Sequence, residues 1–261
     1  RYIGDWSSDV CSSDLHEIYR SPDMTSSTNQ LLKPITLKTN DNGNLSIGGC
    51  DLTELAEKYG TPLYVLDEET IRAVCRDYKK AFSKYKKVRM MYASKALCTM
   101  GTSVLISSEG FGFDVVSGGE IYTLHKAGID MSNVLFNGNN KSIDELNLAL
   151  DLGVGRISVD NFLELSLLNE LAKSKNLVAN ILLRITPGIE CHTHEYIQTG
   201  HLDSKFGFDL TQIDEAVDLI LNTYSNLKLH GLHAHIGSQI FETKVYHRSE
   251  ERRVGKECRS R

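Results

Sequence analysis

"NVLFNGNNKSIDELNLALDLGVGRISVD", residues 133–160, holds one whole strand-helix step and the strand after it. The run "VLF" is apolar and β-prone, and "SIDELNLALDLG" then carries apolar residues at helical i, i+3, i+4 and i+7 spacings. Ser142 stands three residues before Glu145, the spacing of a capping box, and Gly153 and Gly155 stand where the helix should stop. A second β-prone run, "RISVD", begins at once. Such a step predicts two parallel strands joined by a helix.

The same grammar extends in both directions. Strand candidates are "PLYVLD", "VRMMYAS", "FGFDVVS", "NVLFNG", "RISVD", "VANILLRIT" and "LKLHGLHAHIG", seven in all. Between them, "EETIRAVCRDYKKAFSKY", "GGEIYTLHKAG", "FLELSLLNELAKSKN" and "DLTQIDEAVDLILNTYS" each carry an apolar stripe at helical spacing. Ser117 with Glu120 and Asn161 with Glu164 repeat the capping interval, and Gly128 repeats the helix stop. The unit recurs about every 22 to 27 residues until "PGIECHTHEYIQTGHLDS", residues 187–204, interrupts it. A long excursion of that kind is more often functional than idle.

Unbroken βα repetition fits a doubly wound sheet or a closed barrel. No GxGxxG turn follows the first strand, which turns the reading away from the nucleotide-binding doubly wound form. The expected fold class is therefore α/β, an incomplete (β/α)8 TIM barrel with seven strands recognisable. "ITLKTNDNGNLSIGG", residues 35–49, reads as strand, Asn-Gly turn and strand, an N-terminal hairpin belonging to a largely missing β-domain. The first stretch, "RYIGDWSSDVCSSDL", and the last, "RSEERRVGKECRSR", share no periodicity with the rest and resemble translated adapter sequence. The expected division is an adapter-like leader over 1–23, the hairpin over 24–50, the truncated barrel over 51–247 and an adapter-like tail over 248–261.

Composition narrows the function. A net charge of −5 without a basic block argues against nucleic acid or an anionic lipid surface as partner. Six cysteines without a CxxC pair point to a reduced, cytoplasmic protein. No apolar run reaches the length of a membrane span, and no membrane association is expected.

In a parallel barrel the reacting groups sit at the C-terminal ends of strands. Position therefore selects Lys95 after the second strand, Asp114 in the third, Asn137 after the fourth and Arg184 in the sixth. His233, His235, Gly237 and Ser238 crowd the end of the seventh. A lysine beside Met91, Tyr92 and Leu97 is expected to be partly desolvated, which favours the neutral amine that Schiff-base chemistry needs. Taken alone, such a residue is more often a lysine snorkelling from a helix start, and sequence position does not overturn that reading. Alternation puts His233, His235 and Gly237 on one face, where Gly237 and Ser238 could offer a phosphate a backbone N–H and a hydroxyl. A capped turn with two satisfied histidines is the plainer account. The "CHTHEY" loop with His201 matches no structural zinc spacing, so no metal is expected there. His233 and His235 as an HxH pair leave open a metal-dependent barrel hydrolase. Ser117-Gly118-Gly119-Glu120 could bind an anion at a helix N-terminus, but a plain capping box is favoured.

The strings "YASKA", "GFDVVSGGE", "NGNNKS", "LLRITPG", "SKFGF" and "GLHAHIGSQ", in that order, make residues 45–245 similar to the diaminopimelate decarboxylases. These belong to the alanine-racemase-like, fold type III group. The resemblance implies pyridoxal 5′-phosphate as cofactor, Lys95 as the lysine that holds it covalently and His235 as the histidine stacked on its ring. It places Ser238 and Gly237 near the phosphate, and Asp114 and Arg184 along the ring and phenolic oxygen. The implied reaction converts meso-2,6-diaminopimelate, a small amino acid, to L-lysine and CO2, the last step of lysine biosynthesis. The implied enzyme is a homodimer. The glycine-rich phosphate loop, the acid facing the pyridine nitrogen and the substrate arginines follow later in the family, so the chain alone is expected to be inactive. An ornithine/arginine-type decarboxylase and a non-catalytic pyridoxal phosphate-binding barrel are the alternatives.

Overall fold

A computed structural model describes residues 33–186 and 206–237. The described residues form two compact units, one of 33–88 with Leu105–Gly110, the other of Arg89–Val104 with 111 onward.

In the first unit, β1 (Lys38–Thr39), β2 (Leu45–Ile47) and β3 (Cys50–Asp51) make an antiparallel sheet in that order. The expected hairpin is there, with Lys38 opposite Ser46, and it gains a third strand that no periodicity marked. Asp51 ends that strand and caps α1 (Leu52–Tyr59) by accepting from the Thr53 and Glu54 N–H groups. The side-chain amides of Asn44 and Asn40 donate to the same carboxylate, and this concentration of donors lowers its pKa to about 2. Helix α2 (Glu68–Ala81) follows. Residues 62–67, read as the first barrel strand, form none: Leu63, Tyr64, Val65 and Leu66 are exposed. A strand exists through its ladder, and no described residue pairs with this run.

After β4 (Met91–Ala93) come α3 (Met100–Ser108), β5 (Gly112–Val115), α4 (Gly118–Lys126), β6 (Val134–Phe136), α5 (Ile143–Asp151), β7 (Arg156–Val159), α6 (Phe162–Ser174), β8 (Ala179–Thr186), β9 (Phe208–Asp209), α7 (Ile213–Asn222) and β10 (Leu227–Ala234). The strands make one parallel sheet in the order β10-β8-β7-β6-β5-β4, with β9 attached to β8. A doubly wound sheet reverses its strand order at a switch point. Here, apart from the two-residue β9, each strand lies beside its predecessor without reversal, which is the winding of a barrel.

Helices on one face and packed side chains on the other bury these strands from both sides, so they read as nearly continuous apolar runs. Phe113, Val115, Phe136, Val159, Ile181 and Leu183 are fully enclosed. Ile121, Leu124, Leu146, Leu165 and Leu168 complete the packing from α4, α5 and α6. Each such side chain contributes about 1.5–3 kcal/mol relative to exposure.

All three capping pairs form: Ser117, Ser142 and Asn161 accept from the N–H groups of Glu120, Glu145 and Glu164. Gly128 and Gly153 take left-handed φ values of 74° and 69° after their helices. Gly155 has a different reason. A Cβ there would lie 2.0 Å from the Ser132 carbonyl oxygen, so its absence is what lets β7 start against that loop.

Candidate active site

Register decides which side chains share a face, because residues directly opposite in a parallel ladder point the same way and alternate along each strand. Ala93 lies opposite Asp114, and Asp114 opposite Leu135. Ser158 lies opposite Leu182, which is opposite Gly231, and Arg184 is opposite His233. Stepping two residues from these positions adds Asn137 and Asp160, and Lys95, in the turn just past Ala93, is close enough for its charge to act on Asp114. One face of the sheet therefore carries Asp114, Asn137, Ser158, Asp160, Arg184 and His233 toward the strands' C-terminal ends.

Side-chain contacts confirm the grouping. Asn137, buried, donates from Nδ2 to Asp114 Oδ1 at 2.7 Å. Burial pushes the Asp114 carboxyl above its usual range, opposed by that hydrogen bond and by the charges of Lys95 and Arg184. The Arg184 guanidinium, 7 % exposed, lies 3.5 Å from Asp160 Oδ1 and 4.2 Å from the centre of the Phe206 ring. Burial lowers its pKa, and the carboxylates of Asp160 and Asp114 oppose the shift. His233 is buried with Nδ1 3.1 Å from Ser158 Oγ. Burial first, then repulsion by Arg184, His235 and Lys141, holds its pKa well below the ordinary value, so the imidazole is neutral.

Lys95 occupies a short 3-10 turn, Ser94–Ala96, directly after β4. The buried Ser94 hydroxyl donates to the Asp114 carbonyl and the Tyr92 hydroxyl to the Leu97 carbonyl, pinning the turn on both sides. The expected desolvation is not found: Lys95 is exposed, because Leu97 and Ala96 beside it are exposed too. His235 and Gly237 lie past the end of β10, both half-buried, with Gly237 at φ 137°. Ser238, His201 and the "CHTHEY" loop lie outside the described residues. Among the described residues no three His, Cys, Asp or Glu side chains are arranged to hold a metal ion. Ser117 and Glu120 form a cap, with the Glu120 carboxylate turned back to the Val116 N–H, and the Gly118 N–H at the helix start donates to Glu145 Oε1.

Sequence reading passed over a second set of polar groups behind these. Lys141 Nζ, sealed from solvent, donates to Glu164 Oε1 at 2.5 Å and to the Gly138 and Ser158 carbonyls at 2.7 Å. Glu164 Oε2 accepts from the Asp160 N–H at 3.0 Å, and Asp160 Oδ2 accepts from the Gly207 N–H at 2.9 Å. Burial raises the Glu164 pKa, and the Lys141 ammonium opposes it. The rule that selected Lys95 would also have selected Asp160, which directly follows Val159 at the end of β7.

Residues 68–256 match the pyridoxal-binding domain of the pyridoxal-dependent decarboxylases. The diaminopimelate decarboxylase of Bacillus methanolicus is 51% identical over 211 residues, covering 80% of this chain and 49% of that protein. That of Synechocystis is 48% identical over 230 residues, covering 84% and 49%. The chain thus spans about half the length of the curated relatives it matches. Among solved structures, diaminopimelate decarboxylase from M. jannaschii in co-complex with L-lysine superposes with a TM-score of 0.73 at 35% identity, covering 81% of this chain and 50% of that one. The Helicobacter pylori diaminopimelate decarboxylase complexed with L-lysine gives 0.71 at 32% identity, covering 77% and 50%.

Proposed function

The chain belongs to the pyridoxal-dependent decarboxylases, through their pyridoxal-binding domain, and from that premise we propose that the protein it comes from converts meso-2,6-diaminopimelate to L-lysine and CO2. The similarity to diaminopimelate decarboxylases from several bacteria supports this choice of substrate over ornithine or arginine. The observation that carries it is the cluster of Lys95, Asp114, Asn137 and Arg184 toward the strands' C-terminal ends. The residues fit the cofactor: Asn137 Oδ1 is buried without a donor among the described residues, and Arg184 donates only to Asp160 among them. A bound group that both donates and accepts would satisfy both.

Pyridoxal phosphate, when bound, supplies an electron-poor ring that takes up the electron pair left by the departing carboxylate. Lys95 Nζ, a primary amine on a turn pinned at both sides, would hold the aldehyde. Arg184 would bind an oxygen anion with its uncommitted N–H groups, and His235 would lie against the ring. Asp114 lies beside them, its carboxyl pushed up by burial while the charges of Lys95 and Arg184 favour its ionised form. The complete protein would be a homodimer.

The test is to add pyridoxal phosphate, reduce with borohydride and find the modified residue by mass spectrometry. Labelling confined to Lys95 is expected; labelling elsewhere, or none in the folded full-length protein, overturns the assignment. Lysine formation is expected only when the remainder of the relatives' length is present, and turnover by these residues alone would contradict that part.

A further inference from the structure

Arg184 is gripped from two sides by residues that no role in the reaction has yet claimed. Its guanidinium lies over the Phe206 ring, 4.2 Å to the centre, and one nitrogen faces Asp160 Oδ1 at 3.5 Å. Asp160 is 3 % exposed and has little freedom. Its N–H is held by Glu164, itself fixed by Lys141, and its second oxygen is held by the Gly207 N–H. Gly207 is the next residue after Phe206, so one carboxylate ties the ring and the guanidinium into a single unit. The geometry of the ladder explains the meeting: β8 pairs with β10 at Ile185, so β9 occupies its other edge, beyond the end of β7.

Arginine–carboxylate pairs are frequently made through both oxygens, the fork geometry that makes such pairs strong. This carboxylate meets its arginine at a single, long contact and spends its other oxygen on the backbone. The arrangement fixes the plane and position of the guanidinium while leaving its other N–H groups uncommitted among the described residues. The buried, unpartnered Asn137 Oδ1 beside Asp114 independently marks the same face as prepared for a polar ligand.

We propose that Asp160 and Phe206 are positioning residues that orient Arg184 toward bound pyridoxal phosphate. The inference rests on the cofactor reading above. Neither residue needs to touch the cofactor; both act through Arg184.

The test measures pyridoxal phosphate affinity by absorbance titration of the full-length apo-protein, alongside its thermal unfolding. Asp160→Asn keeps the shape and removes the charge; it should weaken binding by tenfold or more. Adding it to Arg184→Met should change affinity less than twofold, because the residue it acts through is gone. A purely structural carboxylate would give the same penalty in both backgrounds. Wild-type affinity in Asp160→Asn, or penalties that multiply, would overturn the proposal. If Asp160→Asn does not fold, Phe206→Leu decides by the same comparison: weakening that vanishes in the Arg184→Met background is expected, and no weakening or undiminished weakening refutes the idea. Failure of the wild-type protein to bind the cofactor would remove the functional reading itself, a result distinct from wild-type binding with an indifferent Asp160→Asn.

Discussion

Removing Glu164 alone from the Lys141–Glu164 pair should cost far more than removing both partners. The two side chains are 1% and 7% exposed, and Lys141 Nζ spends its donors on Glu164 and two carbonyls. Glu164→Leu leaves an ammonium in the interior with two neutral acceptors and deprives the Asp160 N–H of its partner. Stranding a buried charge in this way costs about 3–5 kcal/mol. Lys141→Met should cost less, about 2 kcal/mol, because Glu164 can take up a proton instead of remaining charged. Burial already raises its pKa, and Lys141 is what opposes the shift. Lys141→Met with Glu164→Leu removes both charges and leaves only unpaired backbone groups, for a cost of about 2 kcal/mol. The singles then sum to roughly 6 kcal/mol and the coupling is about 4 kcal/mol. Urea unfolding at constant slope measures all three. A group with raised folded pKa favours folding at low pH, and Lys141→Met raises Glu164 further, so the deficit relative to wild type should grow as pH rises past the wild-type folded value, which already lies above 4.5. Additive singles, or a deficit that shrinks over that range, would refute this account.

Two other outcomes follow from the same geometry. Gly155→Ala should cost more than about 3 kcal/mol, because its Cβ would meet the Ser132 carbonyl oxygen at 2.0 Å. Gly153→Ala, with open space around it but φ of 69°, should cost only about 1 kcal/mol; equal losses in denaturant unfolding would contradict the distinction. His233 is neutral when folded and binds a proton more readily when unfolded, so it contributes stability that is present above pH 6.5 and lost as pH falls toward its depressed folded value. His233→Asn should flatten the acid side of the stability profile below pH 6.5, and an unchanged slope there would show that the ring is not the titrating group.

Periodicity and punctuation were enough for the barrel. Each strand-helix step from β5 onward carried its own cap, apolar stripe or stop, and local signals suffice where each unit packs on its predecessor; α3, between β4 and β5, carried none and was not anticipated. They failed at residues 62–67, whose apolar run needs a neighbouring strand that no local pattern can guarantee. They also misread Gly155, since a helix stop and a close backbone approach both ask for glycine. At the site, position along the strand picked out Lys95, Asp114, Asn137 and Arg184, because register fixes a rim as firmly as it fixes a core. Asp160, at the end of β7, was open to the same rule, but Lys141 and Glu164 stayed hidden for a different reason. Charged residues in loops and helix starts are usually solvated, and nothing along the chain says that these enclose one another.

The placement of His233 shows how much a single irregularity decides. Leu229 of β10 lies opposite Ile181, but Gly231 lies opposite Leu182, so His230 is an extra residue bulged out of the ladder. Its imidazole instead meets Asn180 Oδ1 at 2.8 Å, and Gly231 takes φ of 150°, the kind of backbone a bulge asks of glycine. Were His230 instead held in the ladder opposite Leu182, His233 would lie opposite Ile185 and face the other side of the sheet. With the bulge, His233 shares a face with Arg184 and reaches Ser158. Alternation counted along "LKLHGLHAHIG" assigns the histidine to a face of its own strand. Only the bulge determines that this is the face on which Asp114 and Arg184 stand.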